Sequence, residues 1–312
     1  MHRYDVFENK LCPKIKFCTE RIMRILNFGS LNIDYVYSVD HFVSAGETIG
    51  SHGMDRNTGG KGLNQSVAFA KAGASISHGG LIGEDGLFLR DYLESTGVDV
   101  SGVHVTDTPT GNAIIQVDKN GQNCILLYGG ANQKVGCDMI DSVLSGYEKG
   151  DMLILQNEIS SVDVLISRAH ELGITVALNP SPITDALLDY PLEKVDWFIM
   201  NEIEGKALTG KTEPKDIAAE MRRKYPTSRA VLTLGADGAV YFDCESFIKV
   251  PAGKGKPVDT TAAGDTFTGY FFTGISKGMS PEESLKWATK ASDITVTRKG
   301  AAESIPYASE IN

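Results

Sequence analysis

No apolar stretch in the sequence approaches 18 residues, so nothing in it reads as a membrane-spanning helix. There is no C-x-x-C pair. The five cysteines, Cys12, Cys18, Cys124, Cys137 and Cys244, are odd in number and scattered, which fits a reduced, cytoplasmic setting better than a disulfide framework. The six histidines lack metal-ligand spacing. No basic stripe offsets the formal net charge of −10, so no nucleic-acid partner is expected. A P-loop and a G-x-G-x-x-G are both missing, because Gly60-Lys61 is followed by Gly62 and not by Ser or Thr. Solenoid repeats, low-complexity tracts and inter-domain linkers are absent too. What remains is 312 residues, 42% hydrophobic and 22% charged, enough for one large α/β domain with an attachment or for two average domains. An acidic chain that takes an anionic substrate must supply positive potential locally, through a lysine, a metal or helix amides.

Residues 1–22 are rich in Lys, Arg and Cys and lack clean periodicity, so they read as an N-terminal extension without assigned function. From Met23 the pattern becomes regular. Ile25 to Phe28 is a short apolar strand running into Gly29-Ser30-Leu31-Asn32-Ile33-Asp34. Tyr35 to Val39 and Thr48 to Met54 suggest a hairpin-like excursion. Gly59-Gly60-Lys61-Gly62-Leu63-Asn64-Gln65 leads into a helix over Ser66 to Ala72. A strand at Ser75 to Ile82, a helix at Leu87 to Ser95 and a strand at Val103 to Thr106 come next. Asn112 to Val117 and Asn123 to Tyr128 flank Lys119-Asn120-Gly121, and Asn-Gly is a strong tight-hairpin signal. Four apolar strands follow, Met152 to Gln156, Thr175 to Leu178, Trp197 to Met200 and Ala230 to Leu234, with helical patterns between them such as Val162 to Leu172 and Ile217 to Lys224. This alternation means βαβ units and a mostly parallel, doubly wound α/β sheet. Several of these strands end in polar or glycine clusters, and a row of such ends is a binding edge. Ser280-Pro281-Glu282-Glu283 opens the last helix as a capping box with proline at its first position.

One stretch organises the rest. Asp259-Thr260-Thr261-Ala262-Ala263-Gly264-Asp265-Thr266-Phe267 follows a Pro/Gly/Lys-rich turn over Pro251 to Pro257 and opens a helix with a buried face at Phe267, Tyr270, Phe271 and Ile275. Its small residues leave backbone amides uncovered at a helix N-terminus, where an anion is favoured. Asp265 places a carboxylate beside that anion. It is either a base next to a transferring phosphoryl group or simply the helix N-cap. Asn32 and Asp34 as turn caps, Lys61 as a solvated charge, and Glu158 and Glu204 as surface acids are the corresponding plain readings.

The segments Gly59 to Gln65 and Asp259 to Phe267 are similar to the two signatures of the PfkB carbohydrate kinases. Asn32-Ile33-Asp34, Tyr128-Gly-Gly-Ala-Asn132, Asn179-Pro180, Asn201-Glu202-Ile203-Glu204 and Thr233-Leu234-Gly235 stand as further landmarks in the same order. The resemblance implies one α/β kinase domain over residues 23–306, with a small β lid at about 35–54 and 112–128. It implies Asp265 as the base, and Ala262, Ala263 and Gly264 as the anion hole. Asn32, Asp34, Gly60, Lys61, Asn64 and Glu158 would hold the sugar, and Asn201, Thr233, Gly235 and Gly238 the nucleotide. Glu204 would organise Mg²⁺ through water. Asp259, Thr261, Thr295, Arg298, Gly300 and Ser304 would enclose a monovalent cation, expected to be K⁺, unless Lys299 or the Arg298 side chain fills that place. ATP is the implied phosphoryl donor and the 5-hydroxyl of D-ribose the expected acceptor; another sugar or a nucleoside is the alternative, and a non-catalytic sensor the remote one. Asn112 and Leu63 depart from residues common in the family, and both bear on the sugar side. The lid strands carry apolar residues that look exposed, Val36, Val39, Phe42, Ile114, Ile125 and Leu127, so a homodimer through the lids is expected.

Overall fold

The computed structural model describes residues 23–253 and 255–311, so the extension expected over residues 1–22 lies outside the described residues. In chain order the strands are β1 (Ile25–Phe28), β2 (Asn32–Ser38), β3 (Gly53–Gly59), β4 (Ile76–Gly83), β5 (Asp99–Thr106), β6 (Gly111–Val117) and β7 (Asn123–Tyr128). They continue with β8 (Met152–Gln156), β9 (Thr175–Asn179), β10 (Trp197–Asn201), β11 (Arg229–Thr233), β12 (Ala239–Phe242) and β13 (Phe247–Val250). The helices are α1 (Lys61–Lys71), α2 (Leu87–Ser95), α3 (Cys137–Leu144), α4 (Val162–Glu171), α5 (Glu202–Thr209), α6 (Pro214–Lys224), α7 (Ala263–Ser276) and α8 (Pro281–Thr295).

Nine strands form one sheet in the order β13-β12-β11-β10-β9-β8-β1-β4-β5. It is parallel from β5 across to β11, and β12 and β13 add an antiparallel edge. Strand order reverses at β1, between β4 and β8, and in such sheets the crevice at the carboxyl ends beside the reversal is the ligand site. Period-two alternation sends Ile25 into the core on one face and Leu26 and Phe28 into the core on the other. The first core packs α1, α7 and α8 through Leu63, Val67, Phe271 and Leu285; the second packs α4 and α6 through Leu165, Ile166, Ile217 and Met221. Each large apolar side chain fully buried in this way contributes roughly 1.5–3 kcal/mol.

Helix α7 is pinned from behind. Trp197 on β10 meets Phe271 and Phe272 edge-on, at centroid distances of 5.7 and 5.6 Å. In front, Gly269 abuts α1: a Cβ there would lie 2.5 Å from the Ala68 Cβ and 2.7 Å from the Phe69 N. Only glycine permits that approach, and the approach brings the first turns of α1 and α7 face to face.

The second sheet has the order β3-β2-β6-β7. β2 pairs antiparallel with β3 but parallel with β6, while β6 and β7 form the hairpin that Asn120-Gly121 signalled, with Gly121 at φ 77°. The lid therefore runs over 32–59 and 111–128, wider than expected. β3 begins at Gly53, not Thr48, because its polar run Asp55-Arg56-Asn57-Thr58 is held by pairing with β2 rather than by apolar alternation. α1 begins at Lys61, five residues before the expected start, since Gly60 at φ 95° turns the chain directly into the helix.

Candidate active site

The site is built where the carboxyl ends of β1, β8, β10 and β11 meet the first turns of α1 and α7. The N-cap of α7 is Ala262, held in the left-handed region at φ 59°, which costs a non-glycine residue about 1 kcal/mol or more and clusters at functional turns. Asp265 stands three residues further on and caps nothing. Its carboxylate points across to α1, where Oδ1 accepts from Gln65 Nε2 at 3.0 Å and Oδ2 from Asn64 Nδ2 at 3.2 Å. The N-cap reading is thereby set aside. In the turn itself the Ala263 N–H donates to the Thr260 carbonyl at 3.3 Å and the first helical bond runs from Thr266 N to Ala262 O at 2.8 Å. Gly264 and Asp265 are left as the amide donors that lack intrahelical acceptors by position. A Cβ on Gly264 would meet no atom within 4 Å, so the turn opens onto free space.

That space continues into a cleft of about 130 Å³ lined by Thr233, Gly235, Gly238, Ala263, Gly264 and Thr289. The proposed nucleotide loop and the amide turn therefore share one cavity. Thr289 Oγ1 is buried there without a hydrogen-bond partner, an unmet polar group of the kind a ligand satisfies. Neither Thr289 nor its neighbour Asp293 carried a signal in the sequence beyond its place on α8.

On the α1 side, Glu158 follows β8 and is held by Ser30 Oγ at 2.5 Å and by the Lys61 N–H at 3.1 Å. Gly62 N donates to the same Ser30 Oγ at 3.2 Å, a backbone approach only glycine allows, since a Cβ on Gly62 would come within 2.4 Å of Ser30 N. Burial alone would push the Lys61 ammonium down, but the carboxylates of Asp265, Glu158 and Glu204 outweigh it and raise its pKa. Lys61 is thus the cation of an otherwise acidic pocket. Asp34 lies on β2 against Gly59, which has no Cβ to displace the carboxylate. Burial, then the charges of Glu158 and Glu303, pushes the Asp34 carboxyl up to about 7. Asn32 is buried, and its Oδ1 accepts from Asn132 Nδ2 at 2.7 Å. Asn64 keeps Oδ1 free of any partner. Of the two departures, Leu63 is core and Asn112 donates to Thr110 O at 3.5 Å.

Asn201 and Glu204, expected at a strand end, form a capping box that opens α5. The Asn201 side chain accepts from Glu204 N at 3.0 Å, and Glu204 Oε2 accepts from Asn201 N at 2.9 Å. The pattern Asn-Glu-Ile-Glu carries that helix signal. Glu204 is buried, and burial raises its pKa. A lone carboxylate already holding two donors suits an ion held through its water, as Mg²⁺ commonly is. Among the described residues no group of three or more His, Cys, Asp or Glu is placed to hold a metal. Asp259 ties its own turn to the C-terminal segment, with Oδ1 accepting from Thr261 N and Oγ1 at 2.9 and 2.7 Å and Oδ2 from Gly300 N at 3.1 Å. Thr295 reaches Thr266 on α7 at 3.0 Å, and Ser304 bonds Ala301 O at 2.7 Å. The Arg298 guanidinium is drawn to Glu310 at 2.6 Å.

Fold and site together define a phosphotransferase of the doubly wound α/β class: a carboxylate at the first turn of a helix, bare amides beside it, and a polar acceptor pocket across from them. The profile of the pfkB family of carbohydrate kinases matches residues 23–308, and the chain belongs to that family. It is 36% identical to a ribokinase of Schizosaccharomyces pombe, over 93% of this chain and 97% of that one. It is similar to the ribokinase of Cryptococcus neoformans var. grubii solved with ADP, with a TM-score of 0.82 at 33% identity, covering 93% of this chain and 98% of the other. The Arabidopsis thaliana ribokinase solved with ribose and ATP matches at a TM-score of 0.82 and 30% identity, with the same coverage. No helix among the described residues is long and apolar enough to cross a membrane.

The Asp34 geometry has a measurable consequence for the ligand-free protein. Its folded pKa of about 7 lies above the ordinary carboxylate value of 3.8, so the folded state binds the proton more tightly. Stability is then lost as pH rises through that window and is flat above it. Asp34→Asn removes the ionisation, so the gain in Tm of the variant over wild type is expected to be small near pH 4 and to grow until pH 7–8. An offset that stays constant across pH 4–8 in thermal melts would show that Asp34 is not held protonated.

Proposed function

We propose that the chain transfers the γ-phosphoryl group of ATP to the exocyclic 5-hydroxyl of D-ribose. The observation that carries this is the Asp265 carboxylate, set in the first turn of α7 between the cleft that reaches Thr233, Gly235 and Gly238 and the acceptor residues of α1. The ribokinases similar along the whole chain, one of them solved with ribose and ATP, support ribose over a nucleoside. In this reading the acceptor hydroxyl lies against Asp265, oriented by Asp34, Asn64, Glu158 and the Gly60-Lys61 backbone. Asp265 takes the hydroxyl proton as the oxygen attacks phosphorus. The amides of Gly264 and Asp265 face the equatorial oxygens, where charge spreads in the transition state. Lys61 adds a positive charge on the acceptor side. Mg²⁺, held through water by Glu204 beside Asn201, would neutralise the phosphates. The location we assign is the cytoplasm.

Asp265→Asn is expected to lower kcat by about 10²–10⁴-fold, the range of a positioned general base, while the protein stays folded and binds ATP. Near-wild-type turnover would remove Asp265 from the chemistry. ADP release over a panel of free sugars and nucleosides should give the highest kcat/KM with ribose, and a nucleoside ahead of ribose would overturn the acceptor assignment.

The segment around Asp259, Thr261, Thr295, Arg298, Gly300 and Ser304 supports a monovalent-cation role, since it braces the amide turn from behind and Arg298 is turned away to Glu310. Its backbone oxygens suit K⁺, whose bound state would hold the donors in aim. Potassium should then raise kcat or lower KM several-fold over sodium at constant ionic strength. A flat response across potassium, sodium and a bulky organic cation would mean the protein alone holds the turn.

The lid supports a second proposal. Ile114, Ile125, Leu126, Leu127 and Tyr128 are exposed on β6 and β7, although Val39, expected to join them, is buried. Ile125 and Leu127 lie on one face of β7 and Ile114, Leu126 and Tyr128 on the other. An edge strand apolar on both faces is a liability unless covered, and a two-fold dimer through the lids covers it. Sedimentation at micromolar concentration should give a dimer; a monomer would count against it.

A further inference from the structure

Gln65 is fully buried, touches no part of the cleft, and makes the shorter of the two bonds to the Asp265 carboxylate. Its Oε1 accepts from Gln156 Nε2 at 2.7 Å, and the same Gln156 amide donates to Asn27 Oδ1 at 2.8 Å. Asn27 in turn donates to the Gly62 carbonyl at 2.7 Å and to Ser66 Oγ at 2.8 Å. The chain of bonds thus runs from β1 through β8 to α1 and ends on α7. Asn27, Gln156, Gln65 and Ser66 are all fully buried, so no bulk water competes for these bonds.

The direction of donation along this chain is forced. An ionised carboxylate only accepts, so Gln65 must turn its NH₂ toward Asp265 and its oxygen toward β8. That oxygen needs a donor, and Gln156 supplies one only by turning its own NH₂ inward. The consequence is visible: Gln156 Oε1 is buried with no partner and rests where a Cβ on Gly29 would come within 2.2 Å. A buried acceptor left unpaired is costly. The amide accepts that cost while its NH₂ makes two bonds, one of them to the residue that holds Asp265.

Resting on the reading of Asp265 as the base, we infer that Gln65 is the positioning residue that aims the Asp265 carboxylate at the acceptor hydroxyl, with Gln156 fixing the orientation of Gln65. Asn64 holds the other oxygen at the longer distance and its Oδ1 is buried without a partner, whereas both polar atoms of the Gln65 amide are paired. The two oxygens of Asp265 are therefore held from one side by two amides, which leaves the opposite lone pairs directed at substrate.

The test uses Gln65→Met, which keeps length and bulk and removes the amide, in the wild-type and Asp265→Asn backgrounds. In the wild-type background kcat should fall about tenfold to 10²-fold, the loss that follows when a reacting group is misplaced, with KM for ATP unchanged. In the Asp265→Asn background Gln65→Met should remove nothing further, because the base it aims is gone. A residue that only supports the fold would cost the same factor in both backgrounds, and that result overturns the proposal, as does wild-type kcat in Gln65→Met. Failure of the underlying reading is seen separately, in an Asp265→Asn variant that retains turnover. If Gln65→Met does not fold, Gln156→Met carries the same comparison one bond further from the carboxylate.

Discussion

Helices α1 and α7 approach so closely that Gly269 rests against the main chain of Ala68 and Phe69, and this contact governs the whole site. A carboxylate buried at a helix start is tolerated only if donors meet it. Asp265 finds its donors on α1, and α1 presents them only because it starts at Lys61 and crosses α7 at that distance. The Trp197, Phe271 and Phe272 cluster behind α7 fixes the other side of the sandwich. Packing and chemistry are therefore one constraint here. Any residue that pushes the helices apart also withdraws the donors from the carboxylate.

The pocket gathers acids in a chain that is already acidic. Asp265, Glu158 and Glu204 act on Lys61, and Asp34 feels the charges of Glu158 and of Glu303 from the C-terminal segment. For a neutral polyol this is productive, because carboxylates accept from hydroxyls. For a triphosphate it would be repulsive. The acids gather around Lys61, while the cleft on the α7 and β11 side is lined mainly by small residues, Gly235, Gly238, Ala263 and Gly264, with Asp293 at its wall. Positive potential comes from the helix terminus, whose dipole and amides need no added cationic side chain.

Much of this was legible in the sequence where a local rule applies. β7, β8 and α2 have the bounds their periodicity gives, and the Asn120-Gly121 turn sets the register of the lid hairpin. The two signature segments marked Asp265, Lys61 and Asn64 without any structure. What escaped was set by tertiary pairing. β3 is a strand because β2 lies beside it, and α1 starts early because Gly60 adopts a positive φ. α5 went unread although Asn201 and Glu204 spell its capping box. Asn27 and Gln156 gave no signal, since a polar residue on a buried strand declares its purpose only when its partner is known, and Gln65 closed the first signature segment without an assigned role. The raised pKa of Asp34 was not legible, because burial and the charges of Glu158 and Glu303, distant in sequence, produce it.

The place of β1 at the strand-order reversal, between β4 and β8, bears on biosynthesis. One of its two flanking strands, β8, is made more than a hundred residues after it. Asn27 and Gln156 are 129 positions apart. Until β8 arrives, β1 has one bare edge and an interior asparagine without its donor. The nascent chain must hold an unfinished parallel sheet in solution, the kind of topology that folds slowly and exposes strand edges meanwhile. The switch point of the sheet is completed long after its first strand is made, so demand on chaperones should be greatest before residue 156 is free of the exit tunnel.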